Sequence, residues 1–287
     1  MGTYKITLAY DGTDFVGWQR QAAGTSIQGL LEEALAQLDQ RQVGVAGAGR
    51  TDAGGHALGQ VASFSLKRSI ESDALIRALN ARLPEAIRVL AAERVPETFH
   101  ARFGATSKTY RYRIWNADVV SPFERAFTWH VIEPLDRQAM AEAARFLEGP
   151  HDFAAFKAAG GATRSTERDV FSSRVAGGPE GPHDNSRAGL SAFASLRRGS
   201  PKRGARRRQA CPSALLIYEI SGTGFLRHMV RNIVGTLVEI GRGRQPVEWM
   251  HDVLARRDRT LAGPTAPARG LVLVTVEYAA RSLAARR

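Results

Sequence analysis

Strand-like and helix-like segments follow one another along the whole chain, and their order limits the folds that it can adopt. Period-two alternation of apolar and polar side chains marks strands, as at residues 4–10. Apolar residues at helical spacing mark helices, as after Thr25. The patterns predict about eight strands and five helices without a strict strand–helix–strand rhythm. This order is typical of an α+β fold, with helices packed against a mixed, mainly antiparallel sheet.

Most of these elements can be placed on the chain. Strands are predicted at residues 4–10, 61–66, 87–95, 106–115, 170–175, 215–220 and 271–278. Helices are predicted at residues 27–38, 72–79, 136–147, 226–240 and 247–256. Asp136 is the expected N-cap of the third helix, and Thr25 with Gln28 has capping-box spacing before the first.

Composition excludes several classes of protein. The chain has 287 residues and one cysteine, which excludes an internal disulfide framework and a multi-cysteine metal site. The sequence contains no run of about 18 apolar residues, the length that a membrane-spanning helix needs, so no membrane partner is expected. The first residues alternate like a strand and do not resemble a signal peptide. We therefore expect a globular, cytoplasmic protein.

The charge balance favours a polyanionic partner. Lys and Arg number 40 against 28 Asp and Glu, which gives a net charge of +12. Seven of the cations lie in one stretch at residues 197–208, however, so composition alone leaves nucleic-acid binding open. That stretch belongs to a segment at about 177–213 that is rich in Gly, Ser, Pro and Arg and predicts a flexible basic insertion.

The densest polar cluster is the glycine-rich segment GAGRTDAGGH at residues 47–56. Glycines let a backbone turn sharply and approach a ligand closely. Asp52 beside Arg50 suits a nucleophile or a general base, although a tight turn in which Asp52 caps backbone N–H groups is the commoner use of such a string. The lysine of a phosphate-binding P-loop is missing.

Two further segments combine cations with apolar or aromatic residues. Tyr110 lies in the strand motif KTYRY, which could stack an unpaired base or form a half-exposed edge strand. Arg231 falls at the margin of an apolar helix face. Its guanidinium either reaches solvent or is buried and pairs with a carboxylate.

The sequence offers few metal ligands. Asp11 and Asp14 could form half of a cation site, but no further oxygen ligand follows at loop spacing. None of the seven histidines forms a zinc-like pair with a third ligand nearby. We therefore expect a reaction that needs no cofactor and no metal.

Taken together, the motifs resemble those of the tRNA pseudouridine synthase A family, in the family's order and over nearly the whole chain. They are YDGT at 10–13, GWQ at 17–19, GRTDAG at 49–54, FHAR at 99–102, KTYRY at 108–112, HDF at 151–153, FLRHMVRN at 225–232 and GPTAP at 263–267. Three features depart from the pattern, and one of them is the segment at about 177–213, which looks longer than the family requires. Gly55 stands where a branched apolar residue is more usual, and Arg227 stands where an aromatic residue or histidine is usual.

The resemblance implies that uridine is isomerised to pseudouridine in the anticodon arm of tRNA, at tRNA nucleotides 38 to 40. Asp52 would be the nucleophile, with C1′ of the ribose and the uracil ring both open as its target. Arg231 would pair with Asp52, and Arg50 would help to extrude the base. Tyr110 would stack on the uracil, and Leu271 would form an apolar wall.

The resemblance also implies the pseudouridine synthase fold, a sheet of two similar halves with helices on one face and a central cleft. We place the boundary between the halves at residue 105, so that they comprise residues 1–105 and 106–287. The resemblance further implies a homodimer, because family members bind one tRNA across both subunits.

The competing hypothesis is an RNA-binding protein without catalysis. Asp52 argues against it, because a carboxylate among cations repels phosphate. An aspartyl-nucleophile hydrolase would need Mg²⁺ and several convergent carboxylates, which the sequence near Asp52 lacks.

Overall fold

A computed structural model describes residues 2–160, 165–177 and 214–279. Apart from Gly177, the predicted basic insertion lies outside these residues. The described part contains one ten-stranded sheet and five α-helices, which confirms the α+β prediction.

The elements are numbered here in chain order. The strands are β1 (Gly2–Tyr10), β2 (Ala46–Gly47), β3 (His56–Leu66), β4 (Ile87–Val95), β5 (Ala105–Asn116), β6 (Trp129–Val131), β7 (Gly149–Asp152), β8 (Glu167–Gly177), β9 (Leu215–Gly222) and β10 (Leu271–Tyr278). The α-helices are α1 (Ile27–Asp39), α2 (Ser72–Asn80), α3 (Arg137–Arg145), α4 (Met229–Gly241) and α5 (Trp249–Arg256). Short 3₁₀ turns occur at Ala154–Phe156, Arg259–Leu261 and Ala268–Gly270.

The sheet joins the beginning and the end of the chain. Its strand order is β4-β1-β3-β10-β5-β9-β8-β7, with β2 beside β3 and β6 beside β5. Neighbours are antiparallel except for the β10–β3 and β5–β6 pairs. The last strand, β10, therefore lies between β3 and β5, and it brings the loop before β3 close to the second part of the chain.

One hydrophobic core contains residues from all five helices and from the sheet, so the helices cover a common face. The helical members include Leu31, Leu35, Leu75, Leu79, Met140, Ala143, Ile233, Leu237, Met250 and Val253. The strand members include Tyr4, Ile6, Leu8, Tyr110, Tyr112, Ile114, Leu216, Tyr218 and Ile220. Their period-two spacing is what aims them at the same side of the sheet.

The local predictions have mixed outcomes. Asp136 is the N-cap of α3, as predicted, and accepts hydrogen bonds from the backbone N–H groups of Gln138 and Ala139. The capping box before α1 was a wrong prediction, because Ser26 is the N-cap and accepts from Gly29 N. Three short strands, β2, β6 and β7, were not predicted, since two to four residues show no alternation.

None of the helices in the described ranges is long and apolar enough to cross a membrane. β5 begins at Ala105, next to the boundary proposed from the sequence. The division into two halves stays a prediction.

Candidate active site

The Asp52 loop connects β2 to β3 and packs tightly against the segment after β1. A Cβ atom on Gly12 would lie 1.9 Å from the Gly55 carbonyl oxygen, and one on Gly17 would lie 2.5 Å from that of Thr51. Gly17 also has a φ of 103°, which side chains disfavour. Glycine at these two positions therefore lets the two backbones touch, and the contact fixes the loop.

A buried polar network holds the other side of this loop. The Gln60 amide, which is fully buried, donates to Gly49 O at 2.8 Å and accepts from Gly49 N at 3.3 Å. Gln60 also donates to the Tyr10 hydroxyl, which lies 2.9 Å from Thr51 Oγ1. Burial raises the pKa of Tyr10 to about 12, so its hydroxyl keeps its proton at neutral pH.

The Asp52 carboxylate faces two side chains from the second part of the chain. Arg231 Nη1 lies 2.7 Å from Oδ2, and His228 Nε2 lies 3.4 Å from Oδ1. The Asp52 side chain keeps 26% of its surface exposed, whereas Arg231 keeps 14%. The carboxylate is thus accessible to a ligand and is held by a well-shielded guanidinium.

Arg231 is fixed by close packing between α4 and the GPTAP segment at 263–267. A Cβ atom on Gly235 would lie 1.6 Å from the Pro264 carbonyl oxygen, and one on Gly263 would lie 2.7 Å from Thr236 Cα. This approach lets Arg231 Nε donate to Ala266 O at 2.7 Å, while Ala266 N donates back to Arg231 O at 3.1 Å. The two glycines therefore set the position of the guanidinium.

Asn232 reinforces the same contact. Its buried side-chain oxygen accepts from Thr265 Oγ1 at 2.6 Å and from Arg259 Nη2 at 3.1 Å. Its side-chain nitrogen donates to Phe156 O at 2.7 Å. From the sequence, Asn232 was assigned no role beyond its place in the motif at 225–232, and Gln60 was not identified.

Tyr110 lies in the middle of the sheet, between Leu273 of β10 and Ile220 of β9. Its side chain is 6% exposed and meets the Phe225 ring edge-on, with ring centroids 5.1 Å apart. Burial, with smaller contributions from Tyr10 and Asp52, raises the pKa of Tyr110. The phenol is therefore neutral at physiological pH.

Arg50 and Leu271 complete the set of predicted residues. Arg50 is exposed in the Asp52 loop, and its side chain makes no ion pair within the described residues. Leu271 opens β10, is 7% exposed and pairs with Tyr112 of β5. The structure thus places Asp52 and Arg231 in direct contact, and it adds His228, which the sequence did not single out.

Asp11, one of the two residues considered for a metal site, has other partners. Asp11 Oδ1 accepts from the backbone N–H and hydroxyl of Thr13, and it lies 3.2 Å from His56 Nδ1. This arrangement is a tight turn of the kind that aspartate commonly forms. Within residues 2–160, 165–177 and 214–279, no three His, Cys, Asp or Glu side chains are grouped to hold a metal ion.

A sequence model described as tRNA pseudouridine synthase matches residues 6–104 and 143–279. The chain belongs to this tRNA pseudouridine synthase family. It is 42% identical to the tRNA pseudouridine synthase A of Myxococcus xanthus, over 97% of this chain and 92% of that protein. The enzyme of the same name from Moorella thermoacetica is 43% identical over 97% of this chain and all of that protein.

A third relative with this name, from Solibacter usitatus, is 42% identical over 97% of this chain and its whole length. These alignments cover 97% of the chain and include the Asp52 loop and the start of α4.

One departure from the family pattern, Arg227, has a local explanation. Arg227 donates from Nη1 to Ala159 O at 3.0 Å, and Ala158 N donates to Arg227 O at 3.0 Å. The arginine therefore anchors the segment after β7. At Gly55, a Cβ atom would lie 3.2 Å from Asp52 O, a contact that a small adjustment of the loop would relieve.

Proposed function

We propose that this protein isomerises uridine to pseudouridine in the anticodon arm of tRNA, at tRNA nucleotides 38 to 40. Family membership supports the reaction and the class of substrate. The observation that carries the proposal is the contact of 2.7 Å between the partly exposed Asp52 carboxylate and the shielded Arg231 guanidinium. A phosphate-binding surface alone would gain nothing from a carboxylate held in this way.

In the proposed reaction, the uracil leaves C1′ of its ribose, rotates and rejoins through C5. Asp52 is the nucleophile, and Arg231 orients its carboxylate and offsets its charge. Tyr110 supplies an aromatic face for the extruded uracil, while Leu271 closes the apolar side of the site. Arg50, exposed and free of ion pairs within the described residues, takes part in extruding the base.

We further propose that the site lies between two similar halves, residues 1–105 and 106–287. Asp52 belongs to the first half, whereas Tyr110, Arg231 and Leu271 belong to the second. The family model matches the chain in two segments, the first of which ends at residue 104, and this division supports the proposal. We also propose that the protein is a homodimer that binds one tRNA across both subunits. Sedimentation equilibrium with and without tRNA tests this stoichiometry.

The test of function is to incubate the purified protein with an unmodified tRNA transcript, with no cofactor added, and to map pseudouridine by position. We expect pseudouridine at nucleotides 38 to 40 of transcripts that have uridine there. Modification elsewhere would contradict the anticodon-arm assignment alone. Tight binding without any pseudouridine would favour the competing hypothesis of a non-catalytic RNA-binding protein.

Two substitutions at Tyr110 separate its ring from its hydroxyl. Tyr110→Phe keeps the aromatic face and should keep the single-turnover rate within a few-fold of wild type. Tyr110→Leu loses the face, and a stacking energy of ~1–3 kcal/mol predicts a loss of about 5- to 150-fold. Thermal unfolding checks that both variants fold, since Tyr110 is 6% exposed. Equal losses in the two variants would assign the working part to the hydroxyl and refute stacking.

A further inference from the structure

His228 lies beside Asp52, and the reaction proposed above gives it no role. Its Nε2 atom is 3.4 Å from Asp52 Oδ1, and 24% of its side chain is exposed. A ligand that reaches the Asp52 carboxylate from solvent would therefore meet the imidazole as well.

The backbone of His228 is in a conformation that side chains rarely adopt. Its φ of 59° and ψ of 3° are left-handed, and it precedes the first residue of α4. The ring does not compensate for this strain by capping the helix, because it makes no cap hydrogen bond. Non-glycine residues held in this region cluster at functional sites. Here the conformation turns the ring toward Asp52.

The surroundings of His228 keep its ring neutral. Burial lowers the pKa of His228, and the nearby Arg231, Arg227 and Arg259 lower it further, while Asp52 raises it. The net shift is downward, so at neutral pH one ring nitrogen carries a lone pair that can accept a proton.

The proposed reaction needs such a group. Whichever atom Asp52 attacks, the new C5–C1′ bond leaves C5 with both its hydrogen and the ribose. The C5 hydrogen must then leave as a proton so that its electron pair can restore the C5–C6 double bond. N1, which lost its bond to C1′, must gain a proton. The net change is the transfer of one proton from C5 to N1.

Other titratable groups of β3 and β5 are less suited to this transfer. The phenol of Tyr110 is neutral and has a raised pKa, so it is a poor proton acceptor. Both ring nitrogens of His56 are engaged, Nδ1 with Gly12 N and Nε2 with Arg269 O. Lys108 has a lowered pKa, but the charges that face it are those of Arg102 and Arg168.

We propose that His228 is a second catalytic residue, whose imidazole takes the proton from C5 and delivers it to N1. This inference rests on the proposed pseudouridine synthesis. The C5–H electron pair moves into the C5–C6 bond, the N1–C6 π electrons move onto N1, and the imidazolium gives its proton to N1. The ring returns to its neutral state, and no other reactant is required.

The test uses His228→Asn in the full-length protein. Asparagine tolerates left-handed backbone better than most residues and keeps a polar side chain at this position, but it cannot accept the proton. We expect the single-turnover rate to fall by about 10²- to 10⁴-fold, the usual contribution of general acid–base catalysis, while the Kd for tRNA stays within twofold.

Two measurements separate proton transfer from a structural role. With a transcript that carries deuterium at C5 of uridine, His228→Asn should show a larger isotope effect than wild type, because C5–H cleavage becomes rate-limiting. The wild-type rate should fall at acidic pH as His228 is protonated, below the ordinary histidine pKa, and the variant should lack this limb. A slowed variant whose isotope effect and pH profile match wild type would overturn the proposal.

His251→Asn is the matched control, because His251 is 67% exposed on α5. We expect it to match wild type in rate, Kd, isotope effect and pH profile. An active wild type with an equally active His228→Asn variant would overturn this inference alone. A wild-type protein that makes no pseudouridine would overturn the proposed function and this inference with it.

Discussion

Asp52→Asn is expected to stop pseudouridine formation while tRNA still binds. Asparagine has the size of aspartate and can still accept a hydrogen bond from Arg231, now 2.7 Å away, so the site should keep its packing. An amide is not a nucleophile, and loss of such a group commonly lowers turnover by at least about 10⁴-fold. Single-turnover assays with a target transcript measure the rate, and filter binding measures the Kd.

Asp14→Asn is the control for the change in charge. Asp14 is exposed on the neighbouring turn, and its replacement removes the same negative charge near bound RNA. Both variants should bind tRNA as well as wild type or slightly more tightly, since a repulsive charge is gone. Asp14→Asn should keep the wild-type rate. An Asp52→Asn rate above a few per cent of wild type would exclude Asp52 as the nucleophile.

Sequence periodicity located most of the long elements, although β3 begins five residues before its predicted start at residue 61. β5 and β10 were placed within one residue, because their apolar residues alternate over most of their length. The order of the strands could not be derived in this way. β10 pairs with β3 and β5, which are about 160 or more residues earlier in the chain, and alternation carries no information about partners.

The site was predictable only in part for a related reason. Motif resemblance singled out Asp52 and Arg231, but the residue spacing left Arg231 either exposed or paired. The deciding contacts are between backbones: Gly12 against Gly55, and Gly235 against Pro264. Such close backbone contacts depend on tertiary packing. Their only trace in the sequence is a glycine, which does not identify the segment that it contacts. His228 lies in the motif at 225–232, but the sequence did not predict its left-handed backbone or its position beside Asp52.

Gly235→Ala should damage both the stability and the activity of the protein. In an ordinary helix this change stabilises by ~1 kcal/mol, because alanine has the higher helix propensity. At this position the added Cβ would lie 1.6 Å from the Pro264 carbonyl oxygen, so α4 and the 263–267 segment must separate. We expect the free energy of unfolding to fall by about 2 kcal/mol or more, the usual cost of overpacking. Denaturant titration measures it.

The same separation should reach the active site. Arg231 is held by Ala266 O at 2.7 Å, and a displaced segment releases the guanidinium that orients Asp52. A misplacement of about 1 Å can cost 10²-fold in rate, and we expect a loss of that order. Gly44→Ala is the control, because nothing lies within 4 Å of its added Cβ. A Gly235→Ala variant as stable and as active as Gly44→Ala would contradict the close packing.

A double variant tests whether the rate loss acts through Arg231. Arg231→Met removes the guanidinium that the 263–267 segment positions against Asp52. If Gly235→Ala slows the reaction by displacing Arg231, adding it to Arg231→Met should lower the rate little further, because changes acting on one contact are not additive. Its cost in stability should persist, since the clash with Pro264 does not involve the arginine side chain. Additive rate losses would instead show that the 263–267 segment contributes to the reaction by a route independent of Arg231.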